Sequence, residues 1–278
     1  MPEGPEIRLA ADKIAKVLVG KPLESVFFGL PDLAGWEPEL VSSYVVSIET
    51  RGKALLTHFA NGLSVYSHNQ LYGRWYVVKK DSTPTTRRSL RMALHTASHS
   101  ALLYSASDIS VWETSRLLEH PFLAKIGPDI LSDDLTWKQV TGILLSAKFR
   151  NRGVGAFYLD QGFLAGIGNY LRSEILFFAG VNPWAKPSEL DVKQLNRLAK
   201  STLEISRRSY KTKGITNSAS RVEQLKKQNM TRGQYRHAVF GRESNSCYDC
   251  GNDIIKQQVA SRRLYWCPAC QYELEDQL

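Results

Sequence analysis

The chain has no apolar run that reaches the ~18 residues a membrane-crossing helix needs, so no span is expected. Its N-terminus lacks the basic-then-apolar pattern of a secretory signal, which makes a cytoplasmic protein the expectation. No internal repeat and no low-complexity tract interrupts it. Cysteine is scarce: there are four in 278 residues, and none precedes position 247. Acidic residues are also in short supply, 27 against 36 Lys and Arg, for a formal charge of +9. That imbalance favours a polyanionic partner, nucleic acid before membrane. Hydrophobic residues make up 43%, enough for a real core, and the length suits two domains with a small extra module. Nothing points to oligomerisation, so a monomer is the default.

What is present begins at the first residues, Met1-Pro2-Glu3-Gly4-Pro5-Glu6. With the initiator methionine removed, Pro2 is a secondary amine that can attack an aldehyde-like carbon and form an iminium. Glu3 places a carboxyl beside it, and an acid next to a nucleophile is the minimal equipment for imine catalysis. The same residues also make a good helix start, with proline and acidic side chains suited to the first turn. Ile7, Ala10, Ala11, Ile14, Val17 and Leu18 then recur at helical spacing. A helix start would also lower the Pro2 amine below the usual ~8, because the positive dipole end disfavours its protonated form.

The cysteines read Cys247-x2-Cys250-x16-Cys267-x2-Cys270, a spacing typical of a four-thiolate metal site. Each pair turns tightly and aims two thiolates at one ion, and a closed shell of four is structural. One zinc ion is expected, clamping two β-prone runs, Asp253–Val259 and Arg263–Trp266, with Ser261-Arg262 near the bend. Disulfides would need an oxidising compartment.

Short β-type runs fill residues 23–113, among them Val45–Glu49, Ala54–Phe59, Ser64–Ser67, Trp75–Val78, Leu90–His95 and Ala101–Ser105. An antiparallel sandwich or barrel follows from them. The stretch His120–Asp129, with two prolines and a glycine, reads as a connection between domains. Helical periodicity then covers Thr136–Leu145, Val154–Phe163, Tyr170–Ala179 and Asp191–Arg208. Residues 201–240 hold nine Lys or Arg against Glu204 and Glu223, a net +7, and their interleaved polar residues suggest a mobile basic loop that meets phosphates.

Three further motifs carry open alternatives. Gly166-Ile-Gly168 before Asn169 and Arg172 either exposes helix N-terminal amides to phosphate or is a plain helical hairpin turn. Arg51-Gly52-Lys53 either shares an anion or is a solvated turn. Gln70-Leu71-Tyr72 either wedges into a base stack or anchors its loop in the core. His68 beside it reads as structural.

Together, Met-Pro-Glu-Gly-Pro-Glu, Arg-Gly-Lys, Gly-Ile-Gly-Asn-Tyr and the four-cysteine ribbon resemble, in that order, the Fpg/Nei DNA glycosylases, from Met1 to about Gln271. Gly-Lys-Ala-Leu-Leu-Thr-His-Phe and Tyr-Ser-His-Asn-Gln-Leu-Tyr-Gly are most similar to the bacterial endonuclease VIII (Nei) branch. The resemblance implies an α+β multidomain fold. An N-terminal helix with an antiparallel β-sandwich would occupy 1–125, a linker 126–134, a helix-two-turn-helix domain with the basic loop 135–240, and the zinc ribbon 241–273. It implies Pro2 as nucleophile, Glu3 as general acid and base, and Glu6 and Lys53 as assistants. Gln70, Leu71 and Tyr72 would fill the gap left by a flipped base. Asn169 and Arg262 would grip the backbone, Arg262 rather than Arg263 because it lies five residues before Cys267.

The implied function is base excision repair: removal of oxidised pyrimidines from damaged double-stranded DNA, then AP lyase cleavage by β,δ-elimination, without redox cofactor or catalytic metal. The implied location is the bacterial cytoplasm, at the nucleoid. Two alternatives stand beside it, oxidised purines as substrate and a catalytically silent protein that binds damaged DNA. The segment Lys213–Arg236 is longer than the resemblance leads one to expect, and the acidic tail Glu273–Asp276 has no assigned role.

Overall fold

The computed structural model describes residues 2–272. Met1 and the acidic tail Glu273–Asp276 lie outside the described residues. The chain divides into two compact units, Met1–Lys125 and Ile126–Leu278, so the division falls inside the proline-rich stretch His120–Asp129.

The first unit opens with helix α1, Gly4–Leu18, entered through an extended residue, Glu3, whose N–H donates to the Glu6 carboxylate at 3.1 Å. Its stripe Ile7, Ala11, Ile14 and Leu18 is buried. Strand β1 (Leu23–Phe28) and the short helix α2 (Glu37–Val41) follow, then β2 (Val45–Arg51), β3 (Ala54–Phe59), β4 (Leu63–His68), β5 (Arg74–Lys79), β6 (Leu90–Thr96), β7 (His99–Tyr104) and β8 (Asp108–Glu113). They form two four-stranded antiparallel sheets, ordered β1-β6-β7-β5 and β2-β3-β4-β8. Val26, Leu94 and Leu103 of one sheet meet Val45, Leu55 and Val65 of the other in one core with the α1 stripe. Helix α1 touches strands of both sheets. Each fully buried aliphatic side chain there contributes about 2 kcal/mol, and together they fix where the chain begins.

The second unit carries α3 (Trp137–Leu144), α4 (Val154–Phe157), α5 (Asn169–Ala179), α6 (Val192–Lys211), α7 (Ala219–Lys227), α8 (Arg232–Tyr235) and the hairpin β9 (Ile255–Val259) with β10 (Arg262–Trp266). Side-chain caps start three of the helices: Thr136 and Asp191 accept from Gln139 and Gln194, and Ser218 accepts from Arg221. The helix expected over Val154–Phe163 stops at Phe157. Asp160 accepts from the Gly162 amide at 2.9 Å, an Asx turn that competes with helix, and Phe157, Tyr158 and Phe163 bury against one another.

The basic stretch 201–240 is not a loop. Helix α6 runs through it to Lys211 on a buried stripe including Leu203, Ile205, Ser206 and Ser209, and α7 and α8 occupy much of the rest. After α8 the chain is pinned by Glu174 of α5, which is 0% exposed. Its carboxylate accepts from the amides of Ala238, Val239 and Phe240 at 2.8–2.9 Å and from the Thr216 hydroxyl. The same hydroxyl lies 3.2 Å from Nδ1 of His237, which fits a neutral imidazole donating from that nitrogen.

Burial pushes His237 down from 6.5 to about 4; the charge of Glu174 opposes this in part, and Arg236 and Arg232 reinforce it. The folded protein therefore holds fewer protons than the unfolded chain between those values. Stability that is complete above pH 6.5 falls as pH drops toward 4, by about 3 kcal/mol from this group. Urea midpoints of wild type and His237→Phe across that window should show a pH dependence that shrinks in the variant. Parallel curves would refute the assignment.

Candidate catalytic terminus, nucleic-acid contacts and metal centre

Pro2 is half-buried at the entrance to α1, and Glu3 behind it is 3% exposed. Glu6 braces this entrance through the Glu3 amide. Arg8, one turn on, is close enough to lower the Glu49 carboxyl in β2. The main cause there is a hydrogen bond from His58, against burial, with Arg51 and His58 charge also helping. The early turns of α1 thus lie near the end of β2, where the chain reverses through Gly52-Lys53 into β3.

In the β3–β4 register Ala54 pairs with His68, so Lys53 sits at the same end of the sheet as the loop that leaves β4. Burial lowers the His68 imidazole, Asp108 opposes, and the charge of Lys53 adds to the lowering, which places Lys53 electrostatically beside that loop. The His68 ring packs 5.6 Å from Phe122 and its Nδ1 accepts the Gln70 amide at 3.0 Å.

The loop itself is braced. The Gly73 amide donates to the Asn69 carbonyl at 2.7 Å, and a Cβ on Gly73 would meet that oxygen at 2.4 Å. Ser107 donates to Gln70 Oε1 at 3.0 Å, and Arg88 donates to the Tyr72 carbonyl. On this frame Leu71 is 52% and Tyr72 66% exposed. The core-anchor alternative for these two side chains is therefore excluded.

In the second unit, Gly166 at φ +105 turns the chain toward α5, and Gly168 is the extended residue before Asn169. The turn is tied by Gln161, which donates to the carbonyls of Leu159 and Ile167 and accepts the Gly166 amide, at 2.9–3.1 Å. Nothing in the sequence pattern singled out Gln161. Arg172 is not a phosphate ligand. It is 0% exposed and donates to the carbonyls of Gly155 (2.6 Å), Val259 (3.2 Å) and Arg263 (3.0 Å) and to Asn169 Oδ1 (2.8 Å). One buried guanidinium thus orients the Asn169 side chain and holds both strands of the hairpin.

The hairpin turn is Ala260-Ser261, both at positive φ (53° and 58°), between the paired residues Val259 and Arg262. That is the primed turn that suits strand twist. Arg262 begins β10 and is exposed at the tip, one residue past the bend expected for it. At the other end, the ligand atoms of Cys247, Cys250, Cys267 and Cys270 all lie within 4.8 Å of one another.

The closest sulfur pairs are Cys250–Cys267 at 3.4 Å and Cys247–Cys270 at 3.9 Å. A tetrahedral ion with metal–sulfur bonds of about 2.3 Å sets sulfurs about 3.8 Å apart, so the donor set fits one. Burial pushes the Cys267 thiol up to about 11 and raises Cys270 too, whereas at Cys250 burial is outweighed by hydrogen bonds from Asn252 and the thiol falls to about 6; a bound cation would favour the thiolate of all four. Amides and an amide side chain already face the sulfurs: Asp249 N–H lies 3.4 Å from Cys247 and Asn252 Nδ2 3.5 Å from Cys250.

A helix-led sandwich with an N-terminal Pro-Glu, a helix–turn–helix platform and a four-cysteine hairpin define a DNA glycosylase fold. The chain matches the Formamidopyrimidine-DNA glycosylase N-terminal domain over residues 1–107 and the Formamidopyrimidine-DNA glycosylase H2TH domain over residues 126–221. It belongs to that family, whose members are bifunctional DNA glycosylases and AP lyases of base excision repair.

Among its relatives, Endonuclease 8 of Klebsiella pneumoniae is 48% identical over 272 residues, covering 98% of this chain and 100% of that protein. Endonuclease 8 of Escherichia coli K12 is 47% identical with the same coverage. The structure of Lactococcus lactis formamidopyrimidine DNA glycosylase bound to AP-site DNA shares the fold at a TM-score of 0.79 and 22% identity, covering 98% of this chain and 100% of that one. MutM in complex with DNA containing carbocyclic 8-oxo-G aligns at a TM-score of 0.80, again with 22% identity and 98% and 100% coverage.

Arg172→Met removes the guanidinium that serves these buried carbonyls. It should cost about 3 kcal/mol or more in urea unfolding. A loss under about 1 kcal/mol would show that the hairpin is held by other contacts.

Proposed function

We propose that the protein removes oxidised pyrimidines from duplex DNA and then cuts the strand by β,δ-elimination through an imine on Pro2. The observation that carries this reading is the locked chain start: a half-buried Pro2 directly ahead of a buried Glu3, at the positive end of a helix fixed in the sandwich core. Once Met1 is removed, that dipole favours the free base of the Pro2 amine. The similarity to Endonuclease 8 along the whole chain supports the pyrimidine branch.

The target C1′ is inaccessible inside a duplex, so the nucleotide is first flipped out at a cost of a few kcal/mol. Leu71 and Tyr72, apolar and exposed on their braced loop, fill the gap, with Gln70 beside them. Lys53, Asn169 and Arg262 hold phosphates around the extruded nucleotide. The Pro2 nitrogen attacks C1′ and the base departs with the C1′–N bond electrons, taking a proton from an acid. Glu3 supplies that proton, takes one back from the Pro2 nitrogen once the bond to C1′ has formed, and passes it to the sugar ring oxygen as the ring opens to the iminium, with Glu6 keeping the chain entrance in place. The iminium acidifies C2′–H. Loss of that proton expels the 3′-phosphate, and a second elimination expels the 5′-phosphate. A one-nucleotide gap flanked by phosphates remains. One zinc ion, held by the four cysteines, has a structural part only: it closes the base of the hairpin that presents Arg262. The enzyme acts as a monomer in the cytoplasm, on chromosomal DNA.

Borohydride reduces an iminium to a stable amine. The mature chain beginning at Pro2 should be trapped on abasic duplex, and Pro2→Gly should be trapped at least ten-fold more slowly. No trapping of wild type would leave only the reading of a silent DNA-binding protein. On a lesion panel, thymine glycol should be excised faster than 8-oxoguanine; the reverse order would move the assignment to oxidised purines.

Arg262→Ala should weaken binding to abasic-site DNA about ten-fold or more, as loss of a charge-assisted phosphate contact implies, with one zinc per chain retained. Unchanged affinity would reject the tip assignment.

A further inference from the structure

The first unit contains a basic cleft that the reaction scheme leaves unused. It has a volume of about 690 Å³, and its lining includes Gln70, Tyr72, Arg87, Arg88, Arg91 and Ser107. No acidic side chain lines it. Asp108, next to Ser107, turns to the Tyr66 hydroxyl 3.5 Å away. The rim is closed by backbone: the Ser105 amide donates to the Ser89 carbonyl at 2.9 Å.

Three arginines meet here with no carboxylate to neutralise them. Arg88 is committed to the Tyr72 carbonyl. Arg91 reaches the Gly29 carbonyl with Nη1 at 3.3 Å, while its buried Nε has no hydrogen-bond partner. The guanidinium of Arg87 is exposed and makes neither hydrogen bond nor ion pair among the described residues. An open cleft of this charge takes an anion of phosphate character.

We propose that this cleft binds a DNA backbone phosphate beside the step entered by Leu71 and Tyr72, with Arg87 as its principal ligand. The occupant is chosen by continuity. Gln70 and Tyr72 form part of the wall, so any duplex that receives the wedge brings its nearest phosphates to this opening. Arg88 links the two events, because the guanidinium at the cleft is the one that holds the Tyr72 backbone. A phosphate seated there steadies the wedge while the gap is filled. This inference rests on the reading of Gln70-Leu71-Tyr72 as the gap-filling loop.

The test is binding of wild type, Arg87→Ala and Arg87→Lys to a duplex with a tetrahydrofuran abasic analogue, over a range of salt. One lost phosphate contact lowers the slope of log K against log salt by about 0.9, so the deficit of Arg87→Ala should grow about eight-fold from 1 M to 0.1 M salt. Arg87→Lys, which keeps the charge, should follow wild type. Methylphosphonates placed singly near the lesion, in each strand, then locate the contact: one should weaken wild type and leave Arg87→Ala unaffected. An unchanged slope in Arg87→Ala overturns the proposal. So does a lower slope with no single phosphate masked by the variant, which would mean a diffuse field and no seat. Wild type from the same preparation is trapped with borohydride in parallel. Failure to trap counts against the enzyme reading, whereas trapping with an unchanged Arg87→Ala slope counts against the cleft alone.

Discussion

Helix α5 carries two fully buried charges of opposite sign, Arg172 and Glu174, and the second unit is organised around what they hold. Burying a lone charge costs several kcal/mol, and only a full set of hydrogen bonds offsets it. Here the partners are backbone groups that would themselves be costly to leave unmatched. Arg172 serves carbonyls of both hairpin strands, and Glu174 serves three successive amides of the chain leading into the cysteine cluster. A hairpin of five-residue strands is marginal in isolation. This one is closed by its cysteines at one end and tied to α5 at the other. The exposed Arg262 therefore has a defined position although it directly follows a two-residue turn.

The first unit solves the same problem for the chain start. A terminus is ordinarily the least ordered part of a domain. Here the second residue lies two positions ahead of a helix whose apolar face belongs to the sandwich core, so the terminus inherits the rigidity of the sheets. The proposed catalysis by the Pro2 nitrogen would need this, because no side-chain torsion can correct a misplaced main chain. The loop after β4 is treated alike, with His68, Gly73, Ser107 and Arg88 each fixing one point of it.

Much of this was legible in the residues. The α1 stripe, the period-two strands and the cysteine spacing are local patterns, and local patterns survive in sequence. The Gly-x-Gly turn before α5 was readable for the same reason. What was not readable depends on contacts distant in the chain. Arg172, read beside a possible phosphate site, is buried because its carbonyl partners lie 17 to 91 residues away. Gln161 has no pattern at all until the turn it ties is folded. The helix expected to reach Phe163 ended early, because an Asx turn and aromatic burial outweighed the apolar spacing that suggested it.

Charge was the least specific signal, and the reason is general. The stretch 201–240 carries a net +7, yet five of its nine cations are engaged inside the protein. Arg207 donates to the Ser132 and Leu135 carbonyls, Arg208 to Thr216, Arg232 to Lys213 and Arg236 to Gly214, and Arg221 pairs with Asp249 beside the cysteines. These groups still add to the long-range field that draws in a polyanion. Each of these contacts uses part of a five-donor guanidinium and fixes its direction, so folding decides which of the remaining hydrogens face outward. Arg87-Arg88 is a smaller cluster in a quieter part of the sequence, but it opens on a cleft without acids. Net charge in a segment measures attraction, whereas contact depends on which donors folding has left outward.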